Sequence, residues 1–180
     1  MSSLADSLVT WEEFLRLPER PENGIRYELH DGEVVIVPAP RPRHVKVQKR
    51  IQDLLAPLVG NRAVVPTEFP CRPAPNLQYW VADVACVLRA QWDALPPDQW
   101  PVCTPALIIE VLSPSNTPAK VSRQRIVAMS AGTEEFWVAD ADKRTVMVTD
   151  LSGTKLYKEG DTIVSAVLGG AIAVAEIFAV

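Results

Sequence analysis

"YWVADVACVL" at residues 79–88 and "ALIIEVLSPS" at 106–115 decide how this chain is read. Each is an almost unbroken apolar run with one carboxylate near its middle, Asp83 in the first and Glu110 in the second. Short apolar runs bounded by turn residues read as strands buried on most sides. Alternation puts Asp83 on the face of Val81, Ala85 and Val87, and Glu110 on that of Ala106, Ile108 and Leu112. An ionised carboxylate there loses hydration, and its pKa rises unless a basic partner, backbone amides or a cation compensates. If the strands are neighbours with both acids on one face, a divalent ion between them removes their repulsion. Magnesium favours such sparse carboxylate sites. The structural alternative pairs each acid with an arginine, for instance Arg123 or Arg125. Two acids in consecutive apolar strands favour a site.

Working outward, Thr10 with Glu13 three residues on gives a capping box for a short helix that stops before Pro18. In "RYELHDGEVVIVP", Asp31-Gly32 signals a two-residue hairpin. Pairing across it sets Tyr27, Leu29, Val34 and Ile36 on one face and Glu28, His30 and Glu33 on the other, which reads as solvated, with a role for Glu28 at the edge of a site as the lesser reading. Apolar residues at Val47, Ile51, Leu54, Leu55 and Leu58 predict a helix from Pro42 to Val59. His44 falls at the start of its inward stripe, with Lys46, Lys49, Arg50 and Asp53 outside. "AVVPTEF" at 63–69 reads as a strand, and 91–105 as a Pro- and Trp-rich surface loop. Thr117, Pro118 and Gly132 bracket a helix over 118–131. "EEFWVAD" and "TVMVTD" then pair around "ADKR", and short strands close the chain. The order implies an α/β or α+β sheet flanked by helices, with an N-terminal β-hairpin, and residues 1–180 read as one domain.

Composition narrows the function classes. The chain has 180 residues, 48% apolar and 22% charged, as in a globular domain. No apolar run is long enough for a membrane helix, and the N-terminus lacks the features of a signal peptide, which points to the cytoplasm. Cys71, Cys86 and Cys103 lack the spacing of a zinc site or disulfide framework. A net charge of −4 leaves only local patches to attract nucleic acid. One is "RPRHVKVQKR" at 41–50, with five Lys or Arg plus His44 and no acid. Taken alone, it reads as the solvated face of a surface helix.

Five stretches together resemble the Uma-two family of restriction-endonuclease-like proteins, a branch of the PD-(D/E)XK nuclease superfamily. They are "YELHDGEVV" (27–35), His44, "VADVACV" (81–87), "LIIEVLSPS" (107–115) and "SAGTEEFWVAD" (130–140). "TIVSAVLGG" followed by "EIF" resembles the family's closing segment, so the likeness spans nearly the whole chain. The resemblance implies a mixed sheet flanked by helices and Mg2+- or Mn2+-dependent hydrolysis of DNA phosphodiesters. Asp83 and Glu110 would be the metal ligands. Arg43, His44, Lys46, Lys49 and Arg50 would face DNA, His44 being either a contact to the scissile phosphate or an ordinary helix-start histidine. A homodimer would serve to cut both strands of a duplex.

The chain departs from that pattern beside the acids. Ala82 stands where the family usually has proline. Two residues after Glu110, where the superfamily often carries lysine, stands Leu112. In the Uma-two branch the lysine lies on the following helix, and gapless alignment puts Gln124 at its place. Gln124 shares a stripe with Val121, Ala128 and Ala131 and so points inward, but it brings no charge. Lys120, one turn earlier, could reach the site instead. An active nuclease and an inactive nuclease-fold protein that binds DNA or a protein partner both fit. The "SPS" after Glu110 reads as a phosphate-friendly turn or as a simple cap.

Overall fold

The computed structural model describes residues 8–18, 25–73, 75, 77–113 and 117–180. Pro114 and Ser115 of the "SPS" turn lie outside them. Thr10 caps α1 (Trp11–Phe14) through the expected reciprocal box with Glu13. Asp31 and Gly32 both adopt positive φ, as the hairpin turn requires. They join β1 (Arg26–His30) to β2 (Glu33–Val37) with Leu29 opposite Val34 and Tyr27 opposite Ile36.

α2 (Pro42–Val59) has the bounds its apolar spacing predicts. The run 63–69 is broken near Pro66 into β3 (Ala63–Val64) and β4 (Thr67–Cys71), both antiparallel to β5 (Gln78–Leu88). The 91–105 region opens with a short helix, α3 (Arg89–Asp93), before β6 (Leu107–Val111). α4 (Pro118–Ser130) carries the expected Thr117 cap. β7 (Glu135–Asp140), β8 (Thr145–Asp150) and β9 (Gly153–Lys158) follow. β10 (Thr162–Ser165) and β11 (Gly170–Ala173) pair separately before α5 (Val174–Ile177).

The main sheet runs β2-β1-β5-β6-β7-β8-β9, with β3 and β4 also on β5. Among the described residues only β6 and β7 pair in parallel, and α4 lies in the crossover between them. Mixed pairing with helices on both faces is the α+β architecture the sequence implies. Among the described residues no helix is long and apolar enough to cross a membrane.

The two larger of three hydrophobic clusters flank the sheet, the third packing Trp11 and Phe14 on Leu29 and Tyr79. Val47, Ile51, Leu55 and Val59 of α2 pack on Val84, Cys86, Ile109, Val111 and Trp137, with the C-terminal Ile172 and Ile177. Each such aliphatic side chain contributes about 1.5–3 kcal/mol on burial. On the other face, Val121 and Ala128 of α4 pack on Ala85, Val87, Ile108 and Phe136. Trp80 and Ala82 belong to this second core although Val84 and Cys86 belong to the first. The two-residue alternation of β5 therefore slips at Asp83. On the paired strand the matching disturbance is Glu68, a non-glycine residue at φ +51 between the paired Thr67 and Phe69.

Candidate active site

β5 and β6 are antiparallel neighbours, with Val84 opposite Ile109. Continuing that register one step sets Asp83 opposite Glu110, and there the ladder ends. The Val111 N–H donates instead to Asp83 Oδ2 at 2.7 Å. Because the alternation slips at this point, Asp83 does not simply share a face with Ala85 and Val87. Its other oxygen reaches α2: Gln48 Nε2 donates to Oδ1 at 2.9 Å, and His44 Nε2 lies 3.0 Å from the same atom. His44 and Gln48 are four residues apart, hence on one helical face.

Glu110 is 5% exposed, and its Oε1 is buried with no hydrogen-bond partner. Burial, followed by the charges of Asp83 and Glu28, pushes its carboxyl well above the ordinary range. The arginines that could have neutralised the acids lie elsewhere. Arg123 pairs with Asp31 at 3.0 Å, and Arg125 reaches Thr149 and Ser122.

Glu28 departs from expectation. Two residues of the hairpin face read as solvated are buried, Glu28 at 2% and His30 at 7% exposed, because β5 continues the sheet beside β1, while Glu33 on β2 stays exposed. Arg26 Nε and the Val81 N–H approach Glu28 Oε1, each at 3.3 Å. His30 Nε2 lies 2.9 Å and Lys120 Nζ 3.4 Å from Oε2. Burial alone would raise the Glu28 pKa, but the His30 hydrogen bond and the Lys120 and Arg26 charges bring it down to about 2. Glu28 is therefore a charged strut for Lys120.

Asp83, Glu110, Glu28, Glu68, Gln124 and Lys120 line one cleft of about 520 Å3. Gln124 points inward as its stripe predicts, 3% exposed, with Oε1 unpartnered. The apolar wall is Val35 to Pro40, and Arg41, Arg43 and His44 stand at the α2 end. Arg43 is tied to Asp142 at 2.6 Å. Lys46, Lys49 and Arg50 do not line the cleft; Lys49 pairs with Asp53, and Arg50 donates to the Glu176 carbonyl at 2.9 Å. Of the lysines and arginines of this helix, only Arg43, beside the capping Arg41, lines the cleft.

Sequence reasoning missed Gln48, Glu68 and Arg26. Gln48 was findable, since it lies four residues after His44 beside inward Val47. Glu68 gave no local signal. Its carboxylate takes hydrogen bonds from Gln48 and Arg26, and one ligand atom each of His44, Glu68 and Asp83 lie within 4.8 Å of one another.

Comparison with known proteins gives this geometry a context. A search of curated proteins found no match. Among solved structures, a "putative nuclease belonging to DUF820" from Anabaena variabilis ATCC 29413 superposes with a TM-score of 0.80. It is 20% identical over 94% of this chain and 97% of that one, a likeness of fold. The sequence model of the Uma2 family, described as "Putative restriction endonuclease", matches residues 11–174. With Asp83 and Glu110 meeting at the end of a β-ladder inside that span, the chain belongs to the Uma2 family of restriction-endonuclease-like proteins.

Proposed function

We propose that this chain is a divalent-metal-dependent endodeoxyribonuclease in which Asp83 and Glu110 hold Mg2+ or Mn2+. The observation that carries the reading is Glu110: a fully buried carboxylate with an unpartnered oxygen, opening into the same cleft as Asp83. Two adjacent carboxylates, one lacking a donor, fit a hard cation. Such an ion, when bound, would acidify a water and offset charge on the phosphoryl oxygens.

The protein's own groups do the rest. Lys120, held by Glu28, supplies the positive charge that Gln124 lacks at the family's lysine position. Gln124 orients a water or phosphate oxygen through its free carbonyl oxygen or its amide N–H groups. Arg43 at the cleft rim, and beyond it Lys46, Lys49 and Arg50, meet the DNA backbone. His44 fixes Asp83 from the α2 side. Cutting a duplex through would take two copies, one per strand.

A second reading is an inactive nuclease-fold protein that binds DNA or a protein partner, favoured by the neutral Gln124. The two are separated by Mg2+ or Mn2+ calorimetry run beside nicking of supercoiled plasmid, on wild type and Glu110→Gln. Binding and nicking that both fall in the variant support the nuclease. Binding without nicking in wild type supports the second reading, and no metal uptake removes the site.

A further inference from the structure

We infer that the cleft takes DNA as an unpaired strand rather than as an intact duplex, and that the rim from Val35 to Arg41 holds the unpaired nucleotide beside the scissile phosphate. This rests on the proposed function only in that DNA enters this cleft.

Size and depth come first. A cleft of about 520 Å3 has the volume of a cube about 8 Å on a side. A duplex, whose major groove alone is about 12 Å wide, does not enter such a space. Asp83, Glu110 and Gln124 line the cleft yet are buried. A phosphate meets them only by coming down into it, and pairing and stacking on both sides hold a duplex phosphate at the surface. Arg43 narrows the way in further. It joins α2 to the opposite rim, donating to Asp142 and to the Ala141 carbonyl, and both of those residues line the cleft.

The walls differ in chemistry. One carries the acids, Lys120 and Gln124, where a phosphate and its cation belong. The other is β2 and the chain leading to α2. Register sets Val35 opposite Glu28 and Val37 opposite Arg26, so both valines share the cleft face with charged groups that line it. Pro38, Ala39 and Pro40 extend that wall and are exposed. From Val35 to Pro40 no side chain carries a charge or a hydrogen-bonding group. In a duplex, stacked neighbours cover each base face, and protein contacts fall mostly on phosphate and sugar. An unpaired nucleotide exposes its base face, which apolar side chains can cover. The cleft thus complements one nucleotide, its phosphate towards the acids and their cation, its base towards the valines and prolines.

The rim is also stiff. Pro38, Pro40 and Pro42 alternate with Ala39, Arg41 and Arg43. Each proline fixes its own φ and drives the residue before it to extended backbone. Arg41 shows the effect, at φ −75° and ψ 154°. A rim already ordered loses little freedom on binding. Among the lysine and arginine side chains lining the cleft, Arg26, Arg43 and Lys120 pair with acids, and Arg41 alone pairs with no described residue. One such cation suits the phosphates of a single chain. Supercoiled plasmid offers unpaired stretches too, because negative supercoiling favours strand separation.

Fluorescence anisotropy tests this with three labelled oligonucleotides of one sequence: single-stranded, fully paired, and paired around a central bubble. The full chain is titrated in Ca2+, and matched tubes containing Mn2+ are resolved on denaturing gels. Wild type should bind the single strand and the bubble about tenfold more tightly than the duplex, the worth of one base contact. In Mn2+ it should cut the bubble within its unpaired stretch. Val37→Ser should weaken binding of unpaired DNA about tenfold, the loss of one apolar contact of this size, and leave duplex binding unchanged. Arg41→Gln should flatten the slope of log affinity against log salt by about 0.7 on the single strand. Far-ultraviolet circular dichroism of each variant must match wild type; should Val37→Ser misfold, the Arg41→Gln arm decides. Duplex bound and cut as well as unpaired DNA overturns the inference and leaves the nuclease standing. Variants indistinguishable from wild type overturn the part given to the rim. Selective binding of unpaired DNA without cleavage supports the inference and sinks the nuclease. No DNA bound in any form overturns both.

Discussion

Glu110→Gln should stabilise the metal-free protein, increasingly so as pH rises. Glu110 is buried, and its pKa lies well above the ordinary 4.5. An acid with a raised folded pKa contributes its full stability below the unfolded value. That contribution is lost as pH climbs toward the folded value. Each unit is worth about 1.36 kcal/mol. The chain can always take up a proton rather than bury the charge, so the penalty at pH 7 has a ceiling. The ceiling is the roughly 2.5 units between 4.5 and 7, or about 3.4 kcal/mol. For a chain of this length that is at most roughly 7–14 °C in melting temperature. The assay is thermal melting of wild type and Glu110→Gln at half-unit steps from pH 4.5 to 8 in chelator. The two should converge near pH 4.5 and diverge above it. Saturating Mg2+ should then raise wild type alone, by about 2.7 kcal/mol at a hundred times the dissociation constant. Parallel curves across the range, or a variant less stable than wild type at pH 8, would refute an uncompensated Glu110.

Gln124→Lys should raise plasmid nicking by about 100- to 1,000-fold if the missing charge limits the rate, and gel kinetics would read it. No change would mean that Lys120 already fills the role. Glu28→Gln should flatten the acid side of the stability curve. The depressed Glu28 pKa gives wild type stability that is present above pH 4.5 and lost as pH falls through about 2. Acid melts in which both proteins lose stability equally would refute that assignment.

What the sequence made legible was local chemistry. The Thr10–Glu13 box, the Asp31-Gly32 turn, the Thr117 cap and the α2 stripe involve residues a few positions apart, so spacing reveals them. Asp83 and Glu110 stood out because a charge inside an apolar run needs explaining. The burial of Glu28 was not legible, since alternation along one hairpin cannot tell which face the next strand covers. The slip in β5 was hidden for a similar reason. It depends on Glu68 in a strand paired across 15 positions, and nothing in "TEF" marks a left-handed residue. The arginines near Asp83 and Glu110 in number were turned away by packing. Arg26, close to neither in number, came in through the sheet.

The hydrogen bond from the Val111 N–H to Asp83 Oδ2 makes the two acids unequal as experimental targets. Asp83 is a rivet joining α2 to the end of β6. Truncation there to alanine removes a charge and also frees a strand end, so lost activity reads equally as lost chemistry or as loosened scaffold. Glu110 Oε1 holds nothing in place. Its amide variant is close to a pure change of charge, and a comparison between chemistry and architecture in this protein should begin with it.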